Sequence, residues 1–347
     1  MYVVFCKMMA LLSRVAKWLV PILVVLYAVF YWHMFVNRKY FTDDVKLNGK
    51  TTIVTGANSG IGWWTALDFA KRGARVILAC RNLQKAEDAA KEIKMRTGNS
   101  EVVVRKLELS SLKSVRDFAQ QIKEEEKRLD ILVNNAGLAR FQQRAAATAD
   151  NFDLVFGVNH FGHFLLTNLL LDLLKKSSPS RVVTVSSAAH YFAPEPMNLT
   201  REDPAVASLL YPHLEGYDFS KVANIQFGRE LARREVSSGV VSVSLHPGTI
   251  YTPIWKNFMT VDKDSVWMKT LYYTLSPLMW LFMIDEEAGA QTTLHCALDD
   301  SIPQLSGSYF DNSQVMAPSA LAEDDELARR LWQVSCEATG LKCTSTN

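Results

Sequence analysis

Tyr217 and Lys221 are the two residues of this sequence whose types and spacing most directly suggest chemistry. Side chains four positions apart are neighbours on one face of a helix, so the lysine ammonium would lie beside the tyrosine ring. A free tyrosine titrates at about pH 10, and a nearby ammonium favours the phenolate and lowers that pKa. The pair could therefore serve as a general acid and base near neutral pH.

A solvated surface tyrosine that happens to precede a lysine is the alternative interpretation of this pair. Although the chain has 11 tyrosines, Tyr217 is the one with a lysine at this offset. Composition alone would produce on the order of half a pair with this spacing. The interpretation therefore depends on the elements that surround the pair.

Short apolar runs alternate with amphipathic helical stretches through most of the chain. This alternation predicts βαβ units and a parallel sheet that helices cover on both faces. The predicted strands are TTIVTG, ARVILAC, EVVVRKL, LDILVNNAG, SRVVTVSS and VVSVSLHPG, with SGSYF as a further candidate.

A glycine-rich segment, TGANSGIG, joins the first predicted strand to the first helix. Gly56, Gly60 and Gly62 permit a tight turn and the close approach of a pyrophosphate, and the helix N-terminus supplies free N–H groups. The spacing differs from the commonest dinucleotide fingerprint. Its placement between strand and helix nevertheless favours a dinucleotide loop over a purely structural turn. The predicted fold is therefore α/β, a Rossmann-like doubly wound parallel sheet of about seven strands.

The end of the second predicted strand indicates which dinucleotide would bind. NAD-specific folds place an acid there, which binds the ribose 2′-hydroxyl. Cys80 takes the place of that acid, and Arg81 follows it. Because a guanidinium can hold a 2′-phosphate through paired charged hydrogen bonds, we predict NADP(H), with NAD less favoured. A solvated surface role for Arg81 is the alternative.

The N-terminal region contains WLVPILVVLYAVFYWHMFV, residues Trp18 to Val36, which has no formal charge if His33 is neutral. About 20 helical residues cross the hydrocarbon core of a bilayer, so we predict a retained membrane anchor. A cleaved signal peptide and a buried helix are the alternatives. Basic residues are slightly richer after the span, which favours a cytosolic main domain. The predicted division is 1–45 for anchor and linker and 46–347 for a single domain.

Composition narrows the possible functions. A net charge of +2 over 347 residues offers no argument for nucleic-acid binding. The five cysteines are scattered and odd in number, which favours reduced thiols facing the cytosol over a disulfide framework.

With these motifs together, the chain resembles the short-chain dehydrogenase/reductase family from about Lys46 to about Gly340. The family motifs occur in order: TGANSGIG, NNAG, VVTVSS, Tyr217-x-x-x-Lys221 and HPG. The finer texture, including LACRN, VNHFGHFLLTNLLL and GAQT, is similar to the membrane-anchored retinol dehydrogenase branch.

The resemblance implies a role for each residue at a matching position. Tyr217 would be the acid/base, and Lys221 would hold the nicotinamide ribose and lower the pKa of the phenol. Ser187 would hydrogen-bond the substrate oxygen, and Asn159 would support a proton relay through water. The implied cofactor-binding residues are Gly56, Ser59, Gly60, Ile61, Gly62, Arg81, Glu108, Leu109, Asn135, Ala136, Gly137, Tyr217, Lys221, Pro247, Gly248 and Thr249.

Some residues depart from the family pattern or suggest other sites. Glu108 stands where the family usually has aspartate; it could still accept a hydrogen bond from adenine, but it is one methylene longer. Trp63 and Trp64 open the first helix, where packing is favoured over contact with a membrane or partner. His160 and His163 have metal-ligand spacing, but they lack companion ligands, so core packing is favoured and no metal site is predicted.

A second apolar stretch, Val266 to Ile284, follows the HPG strand. The family builds its substrate lid at this place, so we predict a lid around 250–285 that lies against the membrane and admits a lipid-like substrate. Lys269 and Pro277 interrupt the stretch, which disfavours a second membrane span. Ordinary core is the other alternative.

Together these features predict an NADP(H)-dependent oxidoreductase that interconverts an alcohol and a carbonyl on a small apolar substrate. Retinol/retinal is the first candidate, and steroids or lipid aldehydes are alternatives. A catalytically idle membrane-bound scaffold and an epimerase-like relative are the competing functions. The predicted location is the endoplasmic reticulum, with a single pass and a cytosolic catalytic domain. Membrane lipid is the expected partner, and an oligomer stays open.

Overall fold

The computed structural model describes residues 2–32, 40–139, 147–193, 215–250 and 284–342. The predicted lid around 250–285 lies almost entirely outside these residues, and so do the last residues of the predicted Trp18–Val36 span.

The described strands form one eight-stranded sheet in the order β3-β2-β1-β4-β5-β6-β7-β8. Every neighbouring pair is parallel except β7 and β8. The strands are β1 (Thr51–Thr55), β2 (Arg75–Cys80), β3 (Val102–Lys106), β4 (Ile131–Asn134), β5 (Ser180–Val185), β6 (Val240–His246), β7 (Tyr309–Asp311) and β8 (Gln314–Met316). The predicted doubly wound α/β fold is confirmed. All three residues of the additional strand β8 are exposed, so the sequence has no buried apolar run there that would predict a strand.

Helices cover both faces of this sheet. The helices are α1 (Tyr2–Tyr31), α2 (Gly60–Lys71), α3 (Leu83–Thr97), α4 (Leu112–Glu125), α5 (Leu154–Lys176), α6 (Glu215–Arg234), α7 (Glu286–Leu298), α8 (Ala320–Glu323) and α9 (Asp325–Thr339). Side chains of α2, α3 and α7 share one apolar core with the sheet, and those of α4, α5, α6 and α9 share the other. Both faces of the central strands are therefore buried, as their apolar sequences require.

Local sequence signals account for the helix boundaries. Helix α3 begins after Asn82, whose side chain accepts a hydrogen bond from the Lys85 N–H, and it ends at Gly98 in the left-handed conformation. Helix α2 ends before Gly73, whose φ of 87° ends the helical path as predicted.

The N-terminal helix α1 differs from the others because its apolar side chains are exposed from Trp18 onward. Its segment Lys17–Tyr31 is an apolar helix and a candidate membrane anchor. Within the described ranges, α5 is the helix long and apolar enough to cross a bilayer, but 78% of its apolar window is buried in the domain. Helix α5 is therefore a core helix.

The linker after the anchor packs on the domain from Phe41 onward. The Phe41 N–H donates to Oε1 of Gln291 at 3.0 Å. The Arg72 guanidinium lies 5.2 Å from the centre of the Phe41 ring and donates to the Asp43 carbonyl at 2.6 Å. This polar segment is therefore held against α2 and α7.

The cysteines differ in state. Cys80 and Cys296 are buried free thiols, whereas Cys336 is disulfide-bonded. The expectation of reduced thiols is wrong at Cys336, because sequence spacing does not reveal which thiols the folded chain brings together.

Candidate active site

The candidate active site lies at the carboxyl edge of the sheet, where β1, β4, β5 and β6 end. Strand β1 lies between β2 and β4, so successive connections leave toward opposite sides at this point. Ligands of open α/β sheets bind in the crevice at such a switch point. The loops that follow these four strands contain most of the residues singled out from the sequence.

The glycine loop after β1 packs directly against the Asn134–Gly137 turn after β4. A Cβ atom on Gly62 would lie 2.5 Å from Nδ2 of Asn135 and 2.8 Å from the Gly56 carbonyl oxygen. A Cβ on Gly56, whose φ is 68°, would lie 3.0 Å from Cα of Ala136. Both glycines are therefore required for the close approach of the two loops.

The N-terminus of α2 offers a suitable position for a dinucleotide pyrophosphate. Ser59 occupies the N-cap position of this helix in an extended conformation, without a side-chain capping hydrogen bond, and Gly60 and Ile61 are the first helical residues. Gly60 has a φ of 64°, and among the described residues a Cβ there would meet the Glu286 carboxyl group, at 3.7 Å. The first N–H groups of a helix lack partners within the helix, and such an N-terminus fits a phosphate.

The adenosine end of this crevice contains Arg81 and Glu108. Arg81 follows β2 and is largely exposed, and its Nε lies 3.6 Å from Oε2 of Glu108. The other carboxylate oxygen of Glu108 accepts a hydrogen bond from the Ser110 hydroxyl at 2.7 Å. The residue predicted to bind adenine thus lies beside the residue predicted to bind the 2′-phosphate.

Two further residues at this end are buried. The Cys80 thiol accepts hydrogen bonds from the backbone of Gly56, Ala57 and Asn58, and burial raises its pKa to about 11. Leu109 is buried, and its carbonyl oxygen would lie 2.7 Å from a Cβ on Gly162 of α5. Both residues are therefore part of the packed structure that holds the crevice in shape.

The opposite end brings Ser187, Tyr217 and Lys221 together. Ser187 follows β5, whereas Tyr217 and Lys221 occupy successive turns of α6. The Tyr217 phenol hydrogen-bonds the Ser187 side chain. Nζ of Lys221 lies 5.3 Å from the centre of the Tyr217 ring and donates to the Val185 carbonyl at 3.3 Å.

Burial controls the electrostatics of this group. It raises the pKa of Tyr217, and the hydrogen bond from Ser187 only partly opposes that rise. Burial also lowers the pKa of Lys221 to about 8. Desolvation is the largest effect on both groups, so the net shift of the Tyr217 pKa is upward, and the lowering of that pKa by Lys221 stays a prediction.

Asn159 lies in a π turn, Gly157–Phe161, within α5. Its Nδ2 donates to the Leu138 carbonyl at 2.9 Å and to the Ser220 hydroxyl at 3.0 Å, while its Oδ1 accepts from the Leu138 N–H at 2.7 Å. A Cβ on Gly137 would lie 3.6 Å from both Oδ1 of Asn159 and Nζ of Lys221. The turn after β4 therefore connects the cofactor crevice with the candidate catalytic residues.

The loop after β6 closes the same end. Pro247, Gly248 and Thr249 follow the strand, and Gly248 has a φ of 95°. The preceding residue, His246, accepts a hydrogen bond from the Ala188 N–H at 3.2 Å through Nδ1. This loop therefore lies next to the segment that contains Ser187.

Several structural residues of the site were not singled out from the sequence. The Ser186 hydroxyl donates to the Lys221 carbonyl at 2.7 Å and so ties β5 to α6. The Thr55 hydroxyl accepts hydrogen bonds from the N–H groups of Asn135 and Ala136, each at 2.9 Å. The sequence signal that could have identified Thr55 is its position at a strand end, directly before the first glycine of the loop.

The two histidines of the HFGH segment are both buried and hydrogen-bonded to protein groups. His160 contacts the Ser335 hydroxyl at 2.8 Å through Nε2, and His163 contacts the Thr55 hydroxyl at 2.9 Å through Nε2. The described residues contain no group of three or more histidine, cysteine, aspartate or glutamate side chains that could hold a metal ion.

Trp63 and Trp64 are half-buried and pack against the core below α2. The Arg96 guanidinium lies 5.1 Å from the centre of the Trp63 ring. Packing therefore accounts for both rings.

The fold and this crevice define a dinucleotide-binding α/β protein, and comparison with known proteins narrows the class. Residues 50–198 match the family model for short chain dehydrogenases. Human retinol dehydrogenase 11 is 47% identical over 301 residues, which cover 86% of this chain and 89% of that protein. Human retinol dehydrogenase 13 is 46% identical over 297 residues, which cover 86% of each. The chain therefore belongs to the short-chain dehydrogenase/reductase family, is retinol dehydrogenase-like, and is an oxidoreductase.

Solved structures agree with this fold. A crystal structure of an uncharacterized protein from Mycobacterium paratuberculosis matches with a TM-score of 0.66 and 33% identity, covering 87% of this chain and 98% of that one. L-sorbose reductase from Gluconobacter frateurii, solved with NADPH and L-sorbose, matches with a TM-score of 0.62. At 20% identity over 77% of this chain and 96% of that one, the second match supports the fold alone.

Proposed function

We propose that this protein is an NADP(H)-dependent oxidoreductase that interconverts an alcohol and a carbonyl on an apolar, lipid-like substrate. Retinol/retinal is the first candidate, because the similar human proteins are named retinol dehydrogenases. One observation carries the proposal. At the end of the crevice, the Tyr217 phenol is hydrogen-bonded to Ser187, and Nζ of Lys221 lies 5.3 Å from the centre of its ring.

The side chains of this group have complementary tasks in carbonyl reduction. The nicotinamide supplies the hydride when the cofactor is bound. The hydroxyl groups of Ser187 and Tyr217 would hydrogen-bond the substrate oxygen, and Tyr217 would donate its proton to that oxygen. Because the pKa of Tyr217 is raised, the phenol stays protonated at neutral pH, which suits an acid.

Lys221 would stabilise the phenolate that remains after proton transfer. Its Nζ is held by the Val185 carbonyl and lies close to the tyrosine ring. An ammonium in a buried site acts through a lower effective dielectric than it would in water, so its stabilising effect on an anion is greater. Alcohol oxidation would use the same groups in reverse, with the phenolate form of Tyr217, stabilised by Lys221, accepting the proton.

The NADP(H) preference depends on Arg81. Its guanidinium is exposed at the end of β2, and Cys80 places no negative charge beside a 2′-phosphate there. The solved relative from Gluconobacter frateurii contains NADPH, which supports a nicotinamide cofactor for this fold.

The decisive experiment replaces Tyr217 with phenylalanine. We expect Tyr217→Phe to bind NADPH normally, because the ring is retained, and to lose at least about a hundredfold in kcat for retinal reduction, because the proton donor is gone. NADPH fluorescence quenching and initial rates measure the two properties. Tyr191→Phe is the control, since the Tyr191 hydroxyl donates to the Ala317 carbonyl away from this group.

Full activity of Tyr217→Phe would refute the catalytic role. Failure of the natural protein to oxidise NADPH with any of a panel of retinoid, steroid and lipid aldehydes or ketones would favour the idle-scaffold alternative.

The membrane location is part of the same proposal. We place a single anchor in the endoplasmic reticulum, with the catalytic domain in the cytosol; the exposed apolar helix Lys17–Tyr31 supports the anchor. The Asn198-Leu199-Thr200 sequon provides a test, because only a lumenal domain would be glycosylated there. We expect no change in gel mobility after endoglycosidase treatment of the protein from microsomes. A mobility shift that is abolished by Asn198→Gln would place the domain in the lumen.

A further inference from the structure

His163 occupies a buried position between the cofactor crevice and the candidate catalytic residues. Its Nδ1 lies 3.0 Å from the Asn159 carbonyl oxygen, and its Nε2 lies 2.9 Å from the Thr55 hydroxyl. These partners belong to different elements, since Asn159 lies in the π turn of α5 and Thr55 ends β1. The imidazole therefore bridges two parts of the site.

The partners determine which nitrogen of His163 carries the proton. A carbonyl oxygen can only accept, so Nδ1 must donate to Asn159 and Nε2 must accept. The Thr55 hydroxyl already accepts two backbone N–H groups, from Asn135 and Ala136, so its own hydrogen is left to donate. The nearest acceptor for that hydrogen is Nε2 of His163, because the Val133 carbonyl lies farther away, at 3.4 Å.

The charge state agrees with this assignment. Burial lowers the pKa of His163 to about 4, and the nearby positive charge of Lys221 acts in the same direction. The ring is therefore neutral at physiological pH, as an acceptor at Nε2 requires.

A continuous chain of hydrogen bonds follows from these contacts. It runs from the N–H groups of Asn135 and Ala136 through Thr55 and His163 to the Asn159 carbonyl. The Asn159 side chain continues it to Ser220, whose hydroxyl donates to the Tyr217 carbonyl at 2.6 Å. Buried polar networks of this kind hold their members in one arrangement.

We propose that His163 is a positioning residue that ties the Asn134–Gly137 turn to the π turn carrying Asn159, and so couples cofactor binding to the placement of the acid/base group. This inference rests on the proposed function, because it assigns Asn135 and Ala136 to the cofactor crevice. Both ring nitrogens of His163 are engaged by protein groups, so we expect the imidazole to act through them and not by direct contact with cofactor or substrate. Its imidazole supplies one donor and one acceptor at a fixed separation.

The matched comparison uses the other histidine of the same segment. His163→Leu removes both hydrogen bonds, whereas His160→Leu removes the bond to Ser335 in α9, outside the chain of contacts described above. Both residues are about 1% exposed, so each variant replaces a fully buried imidazole with leucine. The full-length, detergent-solubilised protein is used for both, with thermal unfolding to confirm folding.

We expect His163→Leu to raise the Kd for NADPH about tenfold and to lower kcat/KM for retinal reduction about tenfold or more, because it removes two buried hydrogen bonds that join the two turns. His160→Leu should leave the Kd within about twofold. His163→Gln should recover most of the loss, since a carboxamide retains one donor and one acceptor. Equal Kd values for the two leucine variants, or no recovery with glutamine, would overturn the proposal.

A second measurement does not depend on a folded variant or on turnover. Histidine-selective ¹⁵N labelling of the natural protein should show His163 as the neutral Nδ1–H tautomer, with resonances that shift on NADPH binding more than those of His160. An Nε2–H tautomer, or no shift with NADPH, would overturn the inference. An active Tyr217→Phe would instead refute the proposed function and leave both the Kd and the NMR results interpretable.

Discussion

The two ends of the crevice are built in opposite ways. At the catalytic end, Lys221 is 4% exposed and Asn159 is 0% exposed, and their polar atoms bond to backbone and side chains around them. At the adenosine end, the Arg81 side chain is 68% exposed, and its contact with Glu108 is 3.6 Å long. One end is buried and held in place, whereas the other is open and weakly paired.

The difference indicates how each end would obtain its selectivity. Burial changes the pKa of a group and holds its geometry, which an acid/base centre needs. An exposed guanidinium keeps its charge and can adapt to a phosphate, although water and salt screen its interactions. We therefore expect substitutions at the catalytic end to change kcat and the pH profile, and those at the adenosine end to change cofactor affinity alone.

The largest expected effect concerns Lys221. Because burial lowers the pKa of Lys221 to about 8, the ammonium is lost as the pH rises through that value. We expect kcat for retinal reduction to be level below about pH 7.5 and to fall about tenfold per pH unit above pH 8. The raised pKa of Tyr217 places the loss of its own proton at higher pH.

Lys221→Arg tests that assignment because arginine keeps its charge across this range. The variant should have a lower kcat but a level profile to about pH 9.5. If kcat of Lys221→Arg still falls above pH 8, the fall belongs to another group. The difference between a buried, pKa-shifted catalytic end and an open adenosine end would then lose its support.

A smaller effect is expected at Arg81. Arg81→Ala should weaken NADPH binding about tenfold to a hundredfold, because charge-assisted hydrogen bonds to a 2′-phosphate are lost. The Kd for NADH should stay unchanged, as should kcat at saturating NADPH. Fluorescence quenching with both cofactors measures this, and Arg96→Ala, which loses its contact with Trp63, is the control. Equal weakening of both cofactors would refute Arg81 as the selector.

The smallest effect is expected at Glu108. An exposed pair at this distance contributes little, so Glu108→Gln should change the NADPH Kd by less than about fivefold. We expect Glu108→Gln to bind NADPH more tightly, because the natural carboxylate competes with the 2′-phosphate for Arg81. Weaker binding of both NADPH and NADH would instead indicate that Glu108 bonds adenine, the role implied by the family resemblance.

Much of the fold could be predicted from local pattern. The β-branched runs of β1 and β2 and the glycines after β1 and α2 were read correctly, because period, capping and glycine placement are local properties. Strand β8 could not be predicted, since it is short and exposed and forms by pairing with β7.

The candidate site shows the same division between local and tertiary information. Tyr217, Lys221 and Ser187 were identified from type, spacing and motif order, and the structure brings them together. His163 was identified too, but as a packing residue, because its partners lie 108 residues away at Thr55 and one turn back at Asn159. Only the folded arrangement shows that it bridges them.

The sequence by itself determined which residues can carry charge, donate protons or permit a turn, since these are properties of residue type and near neighbours. It therefore determined the glycine loop, the Arg81 position and the Tyr217/Lys221 pair. Tertiary structure decided how deeply each group is buried. Burial raises the pKa of Tyr217 and lowers that of Lys221, contrary to the effect expected from their spacing on one helix, because desolvation depends on every element packed around a group.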